Sequence, residues 1–373
     1  MESQKDLSDS QIDDFTFEGE IGSGQFSRVY RVRHKATQKI YAMKVISKAE
    51  VGAVAFNSFV NNELRNISQI NCQYIAKMYK TFDTQNCLYI VLEYVEGCSL
   101  LELVNRVGSL KEADACHIFF QLSRALFYLH EFKRIVHRDI KLENIMMTSD
   151  GQAKIIDFGF SKDLTGCCPL KTAVDCNNLS KLSTICGSIS YMPPEMIYHY
   201  EYSEKVDIWS LGIVLYGMIF GVLPFFDQSS TVNAKKIVTE KLVFPKPNSP
   251  ELEDLFQCIL EKDPIKRYSI NEVVKHSWLK IKSHSNKMAV PSKSLEAIPN
   301  LKGLSPLSGN GTQTLADIQS RNERRSQLRV LNRTCKIRVR EVPLGLQFNQ
   351  MRTMTNLLQK TVELPKLLPK NPI

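Results

Sequence analysis

Residues 137–159, HRDIKLENIMMTSDGQAKIIDFG, decide the fold. Two acids, Asp139 and Asp157, and one amide, Asn144, lie in this stretch, with Lys141 two residues after the first acid. Upstream, ADACHIFFQLSRALFYLH carries apolar residues at helical spacing, which predicts a helix ending near His130. Downstream, NIMM and AKIID flank TSDG, an Asp-Gly turn between short apolar runs, which predicts a β-hairpin. The polar cluster is thereby placed on a loop between a helix and a hairpin, with Asp157 just past the second strand. Phosphoryl chemistry needs a carboxylate to orient and deprotonate a hydroxyl, and hard oxygen ligands for magnesium. Asp139 suits the first role; Asn144 and Asp157 suit the second. Either motif alone reads as a solvated turn, but the pair at this spacing points to work on a phosphate.

The pattern H-R-D-x-K-x-x-N followed by D-F-G resembles the catalytic core of the eukaryotic protein kinases, and Lys141 resembles the Ser/Thr class. In flavour the chain is most similar to the calcium/calmodulin-dependent and AMP-activated kinase groups. The resemblance implies an α+β, bilobal fold over residues 15–280. A small antiparallel β-rich lobe with one main helix, together with the hinge, takes residues 15–95, and a larger helical lobe takes 96–280. It implies ATP and Mg2+ as cofactors and protein Ser/Thr hydroxyls as acceptors. Asp139 then orients the hydroxyl, Lys141 steadies the phosphate, and Asn144 and Asp157 hold the metal.

The rest of the chain is consistent with that reading. Phe15 to Glu20 alternates apolar and polar residues and runs into IGSGQFSRVYRV, a strand, glycine turn and strand. Gly22 and Gly24 let backbone approach phosphate oxygens, Phe26 caps the loop tip, and Val29 returns where an adenine would pack. No helix pattern follows, which argues against a dinucleotide fold. The third glycine of the kinase pattern is Ser27 here. Lys44, inside the apolar run YAMKVI, resembles the lysine that holds the α- and β-phosphates. Glu63 in SFVNNELRNISQI is its expected partner, on a helix presenting Leu64 and Ile67 to that strand. The resemblance adds Ile21, Ser23, Gln25, Ala42 and Met146 to the nucleotide site. It makes Leu92 the back of the adenine pocket and Glu93, Tyr94 and Val95 the hinge. It also stacks Ile67, Met78, His137 and Phe158 into a spine.

After Gly159 a long segment ends at Pro193, Pro194 and Glu195, with Arg267 in place of the buried partner of Glu195. Its excess, TGCCPLKTAVDCNNLS, reads as a mobile insertion in an activation loop. Thr184 stands where the activating phosphate is carried, and Ser188 where a substrate-facing hydroxyl sits. Arg138 is the cation expected to clamp a phosphate at Thr184, placed there by an upstream kinase. Asp207, in VDIWSLGIVLYGMIFGVLPF, resembles the aspartate that holds the catalytic loop from below. Glu143 matches a carboxylate that receives a substrate arginine, while Ser99 and Gly217 stand where companion glutamates are common.

No apolar run reaches the roughly 18 residues of a membrane helix, and the opening MESQKDLSDSQIDD is polar, so an intracellular, cytoplasmic protein is expected. Ten cysteines without paired spacing read as reduced thiols. Cys167, Cys168, Cys176 and Cys186 lack the C-x-x-C pair of a zinc site. Of the net charge of +9, residues 281–373 hold 16 Lys+Arg against 5 Asp+Glu, so the basicity belongs to the tail. Residues 1–14 read as a polar extension. Residues 281–320 read as a flexible linker rich in Ser, Asn, Gly and Pro without periodicity. Residues 321–340 carry eight basic residues and one acid with interleaved apolar ones. That stretch fits a solvated arm, an autoinhibitory segment, a calmodulin target or a membrane or nucleic-acid patch, although no nucleic-acid partner is expected. A pseudokinase scaffold is the alternative to the enzyme; the presence of Lys44, Asp139 and Asp157 argues against it.

Overall fold

A computed structural model describes residues 9–24, 27–51, 70–158, 189–198 and 202–284, together with Leu7, Leu64, Ile67, Ser68, Lys162, Asp163 and Tyr200. The small lobe is an antiparallel sheet of β1 (Phe15–Ser23), β2 (Ser27–His34), β3 (Ile40–Ser47), β4 (Met78–Asp83) and β5 (Cys87–Glu93), in the order β1-β2-β3-β5-β4. A short helix, α1 (Lys48–Val51), follows β3. Side chains alternate across a strand. Tyr41, Met43 and Val45 therefore join Phe15, Phe17, Tyr30, Val32, Tyr89 and Val91 in one core. Ile46, Leu88 and Ile90 pack on the opposite face with Leu64, Met78 and Leu92. Period two puts Ala42 and Lys44 on that second face, where Lys44 is registered between Val29 and Ile90. Among the described residues before Phe15, Leu7 is buried, and the Lys80 ammonium donates to the Leu7 and Ser10 carbonyls at 2.9 and 2.8 Å.

The large lobe begins with β6 (Gly97–Ser99) and α2 (Leu100–Val107). Ser99 caps that helix reciprocally, its hydroxyl accepting from the Glu102 amide while Glu102 accepts from Ser99 N. Helix α3 (Glu112–Phe127) ends three residues before the expected His130, because the chain widens into a π-helical turn, Tyr128–Lys133, closed by Arg134 in the left-handed region. Next come β7 (Ile135–Val136), β8 (Ile145–Thr148), β9 (Ala153–Ile155) and β10 (Lys162–Asp163). β8 and β9 pair antiparallel around the Asp-Gly turn as the sequence predicts, and β10 pairs with β7. The remaining helices are α4 (Pro194–Ile197), α5 (Lys205–Phe220), α6 (Ser230–Thr239), α7 (Pro250–Ile259), α8 (Ile270–Val273) and α9 (Ser277–His284).

Helix α5 is apolar all round, and every residue from Val206 to Ile219 is buried, so it forms the axis of the lobe rather than an amphipathic surface helix. It ends at Gly221, with φ of 71° and its amide bonded to Gly217 O. A Cβ there would lie 1.8 Å from the Gly108 carbonyl oxygen, so only glycine fits. Among the described residues no helix is long and apolar enough to cross a membrane.

Candidate active site

The catalytic loop, residues 137–144, hangs from the buried Asp207 at the start of α5. Its Oδ2 accepts from the His137 amide and pairs with His130 Nε2, and its Oδ1 accepts from the Arg138 amide, each at 2.8 Å. Burial pushes the Asp207 carboxyl up. The His130 hydrogen bond and charge, with the His137 amide, outweigh burial and hold it below the ordinary carboxylate range. These amide bonds keep Arg138 at φ of 66°, a left-handed conformation that a non-glycine residue adopts only when its surroundings enforce it. His137 is fully buried, and desolvation pushes its imidazole pKa down against the pull of Asp207 and Asp139.

One residue further on, Asp139 Oδ2 takes the Lys141 ammonium and the Asn144 Nδ2 donor, both at 2.7 Å. Asn144 Nδ2 also donates to the Asp139 carbonyl at 2.9 Å, so the nitrogen end of this amide is committed and Oδ1 is the end left for ligation. Lys141 spans from a partly open position to a carboxylate that is 8% exposed. The carboxylate is thereby fixed in orientation by its own loop.

Asp157 sits beyond β9 at φ of 66° and receives the Lys44 ammonium at 2.8 Å, a contact between residues 113 apart in sequence. The Ile156 amide donates to the Asn144 carbonyl at 2.9 Å, which holds this segment beside the catalytic loop. Lys44 is 8% exposed at its side chain and Asp157 42%, so the lysine comes from the sheet and the acid opens to the cleft. Phe158 is buried edge-on to His137, with ring centroids 4.7 Å apart. Ile67 lies in the same core as Phe158, with Met78 packed against it. Glu63, the expected partner of Lys44, lies outside the described residues.

Around the nucleotide position, Gly22 pairs with Val29, and Gly24 N donates to Ser27 O at 2.8 Å, closing the turn. Ile21 and Ser23 lie on β1, with Ile21 half exposed. Ala42 is buried on β3, and Leu92 and Met146 are half-buried on β5 and β8. Gln25 and Phe26 lie outside the described residues. The Glu93 amide donates to Lys77 O at 2.7 Å, while its carboxylate accepts from Lys77 N at 3.2 Å and pairs with Lys154 at 2.9 Å. Tyr94 carries the Arg31 guanidinium over its ring at 5.5 Å, and Val95 is buried. Lys154 gave no signal in the sequence, because its partner lies 61 residues away on another strand.

The family model described as protein kinase domain matches residues 15–279. The chain belongs to the protein kinase family. Aurora kinase of Schizosaccharomyces pombe is 34% identical over 260 residues, which cover 69% of each chain. Aurora kinase C of Mus musculus is 32% identical over 277 residues, 74% of this chain and 95% of the relative. Aurora kinase of Candida albicans is 34% identical over 282 residues, 72% of this chain and 52% of the relative. The chain is an ATP-dependent Ser/Thr protein kinase that transfers phosphate to protein substrates. The expected likeness to the calcium/calmodulin-dependent and AMP-activated groups is corrected here, since these relatives are Aurora kinases, a different group. The motifs that carried that expectation serve the phosphoryl chemistry common to protein kinases, so they cannot separate groups.

In this kinase Glu195 and Arg267 form a buried two-point ion pair at 2.6 and 2.9 Å, with the guanidinium 5.1 Å over the Trp209 ring. Arg138 Nη1 donates to the Tyr202 hydroxyl at 2.8 Å, a partner that no local pattern announced. Glu143 is exposed, and the Tyr191 hydroxyl lies 3.4 Å from its Oε2. At Gly217 a Cβ would meet the Leu142 and Leu223 side chains at 3.1 and 3.2 Å, so leucines crowd the place of the missing glutamate. Thr184, Ser188 and the segment with Cys167, Cys168, Cys176 and Cys186 lie outside the described residues, as does the tail with its calmodulin reading. Asp254, Cys258 and His276 also converge within 4.8 Å. The Trp278 amide donates to His276 Nδ1 at 3.2 Å, which puts the ring proton on Nε2, facing Asp254 at 3.0 Å; a metal would need that nitrogen's lone pair.

Proposed function

We propose that the kinase works on Mg-ATP with Asp139 as the base that orients and accepts the proton of a substrate Ser or Thr hydroxyl. The observation that carries this assignment is the pair of contacts Lys141–Asp139 and Lys44–Asp157, which bring the acid motifs and the small-lobe lysine into one cleft. Asp157 and Asn144 Oδ1 make an oxygen donor set of the kind magnesium takes, and they would hold the ion. When bound, it neutralises charge that develops on the phosphate oxygens. Lys44 positions the α- and β-phosphates. Lys141 holds the base in place and steadies the transferring group. The backbone of Glu93 to Val95 receives adenine, braced from behind by the Lys154–Glu93 pair.

Arg138 is the clamp for a phosphate on Thr184; its position one residue before the base and the length of the segment from Asp157 to Glu195 support this reading. A moderate preference for substrate arginine rests on Glu143 alone, since the Ser99 hydroxyl is used as a helix cap and Gly217 is crowded. The expected upstream kinase and calmodulin gain no support from the Aurora relatives. An intracellular setting is supported by Cys72, Cys87, Cys98, Cys116 and Cys258, all free thiols.

The test is phosphate transfer from γ-labelled ATP to a peptide library, with Asp157→Ala as control. Transfer to Ser/Thr peptides, enriched modestly for upstream arginine and lowered at least about 100-fold by the substitution, is expected. A chain that binds ATP and transfers nothing would instead be a scaffold, and an unchanged Asp157→Ala rate would remove the assigned role.

A further inference from the structure

We propose that residues 294–307 of this chain dock as a polyproline-II-like segment along an aromatic stripe on the outer face of α3 and its π-helical turn. While α3 buries Ile118, Leu122 and Leu126 in the lobe, its other side exposes Phe120 and Arg124, with Phe127 half-buried. These positions are spaced i, i+4 and i+7 and so share one face. The π turn that follows returns Phe132 to the same stripe. Its ring lies 5.7 Å from Phe127 and 6.3 Å from Tyr128, yet the residue is 69% exposed. Arg124 lies over Phe127 at 5.5 Å and Lys133 over Tyr128 at 5.6 Å. Aromatic surface already carrying cations on its faces suits an apolar occupant without excess positive charge.

The occupant follows from where the described chain ends. Helix α9 packs on the same α3: the Trp278 ring is 5.7 Å from Phe119, its Nε1 donates to Glu112 at 2.8 Å, and the Cys116 thiol meets the Trp278 carbonyl at 3.9 Å. Helix α9 ends at His284, so the tail is tethered to a helix that packs on α3 itself. Ten residues later comes SLEAIPNLKGLSPL, with Leu295, Ile298, Leu301, Leu304 and Leu307 at every third position and prolines at 299 and 306. A period of three belongs to neither α-helix nor strand, and 3-10 helices seldom run this long, so the stretch reads as a linker when only the α and β periods are sought. It is the period of polyproline II, whose faces recur about every 9.3 Å. Phe120 and Phe127, seven residues apart, are separated by about 10.5 Å along the helix axis, so consecutive leucines meet consecutive rings. Aromatic-lined surfaces are a common seat for such segments.

Charge sets this stretch apart from the basic part of the tail, and the period of three sets it apart from the rest. Residues 294–307 carry Glu296 and Lys302 and are neutral, whereas residues 321–340 carry eight bases and one acid and would be repelled by Arg124 and Lys133. The nine intervening residues, 285–293, let Ser294 lie at most about 35 Å from His284. A tether that short gives a millimolar effective concentration, so even a weak contact is well occupied.

In the full-length chain, Phe132 is replaced by the photo-crosslinking analogue p-benzoylphenylalanine, and the monomer's crosslinked peptides are mapped by mass spectrometry. A crosslink to residues 294–307 is expected, falling at least fivefold in the double variant Ile298→Asp/Leu301→Asp. A thermal melt of the labelled chain checks folding, which an exposed aromatic analogue leaves unchanged. Crosslinks to residues 321–340, crosslinks only between two copies, a signal indifferent to the two aspartates, or no crosslink to 294–307 would each overturn the proposal.

Discussion

Replacing Asp207 by asparagine tests how the base is held. The carboxylate serves three donors: His130 and the His137 amide on Oδ2, and the Arg138 amide on Oδ1. An asparagine that turns its oxygen to the first two presents an NH2 group to the Arg138 N–H. One buried hydrogen bond to a charged acceptor is lost and one amide is left unpaired, a cost of about 2–3 kcal/mol. The bond being lost also offsets the left-handed backbone of Arg138, which itself costs on the order of 1 kcal/mol, so the loop relaxes at the residue before Asp139. At about 1.4 kcal/mol per decade, the population with a correctly aimed base falls roughly 30- to 150-fold. Initial-rate kinetics should show that drop in kcat, while KM for ATP moves less than about threefold because Lys44 and the hinge are untouched. A folded Asp207→Asn enzyme with kcat within about twofold of wild type would refute this account of the loop.

Glu195→Leu leaves Arg267 charged and buried, and should cost about 3–5 kcal/mol in urea unfolding, whereas Glu195→Leu/Arg267→Met recovers most of it; a double variant as unstable as either single one would contradict that. His137 has a folded-state pKa depressed below its ordinary value of about 6.5, so its contribution to stability is complete above that value and is lost as pH falls. The urea midpoint should therefore drop between about pH 7.5 and 5.5 in the native chain, and more weakly in His137→Phe, which keeps a ring against Phe158; equal slopes would assign the acid sensitivity elsewhere. Thr184→Ala should lower specific activity at least about tenfold if a phosphate there orders the loop through Arg138, and unchanged activity of the purified variant would remove Thr184 from regulation.

The parts of the fold legible in the sequence are those set by local pattern. The Asp-Gly hairpin of β8 and β9, the apolar run of β3 that carries Lys44, and the apolar α5 all follow from local apolar pattern and turn chemistry. The site was reached differently, since the roles proposed for Asp139, Asn144 and Asp157 come from what phosphate chemistry demands of two acids and an amide at fixed spacing. Contacts between distant residues were not legible. Tyr202 under Arg138 and Lys154 against Glu93 depend on how elements are stacked, and a lone tyrosine or strand lysine carries no mark of its partner. The π-helical widening at the end of α3 was not legible for a related reason: apolar spacing continues smoothly through Leu126 and Leu129 while the backbone widens beneath it.

The segment between the two acid motifs is pinned at both ends, at Asp157 by Lys44 and at Glu195 by Arg267. Chain statistics give this arrangement an evolutionary meaning. Once the ends of a free chain are fixed, doubling the length between them adds only roughly 0.6 kcal/mol of closure entropy. Phe158, β10, Ile189, Ser190 and Tyr191 at its edges are packed or paired, so it is only between β10 and Ile189 that chain can be added at so small a closure cost. New cysteines, new phosphate acceptors and new partner contacts can be tried there while the two anchors keep the reaction in register.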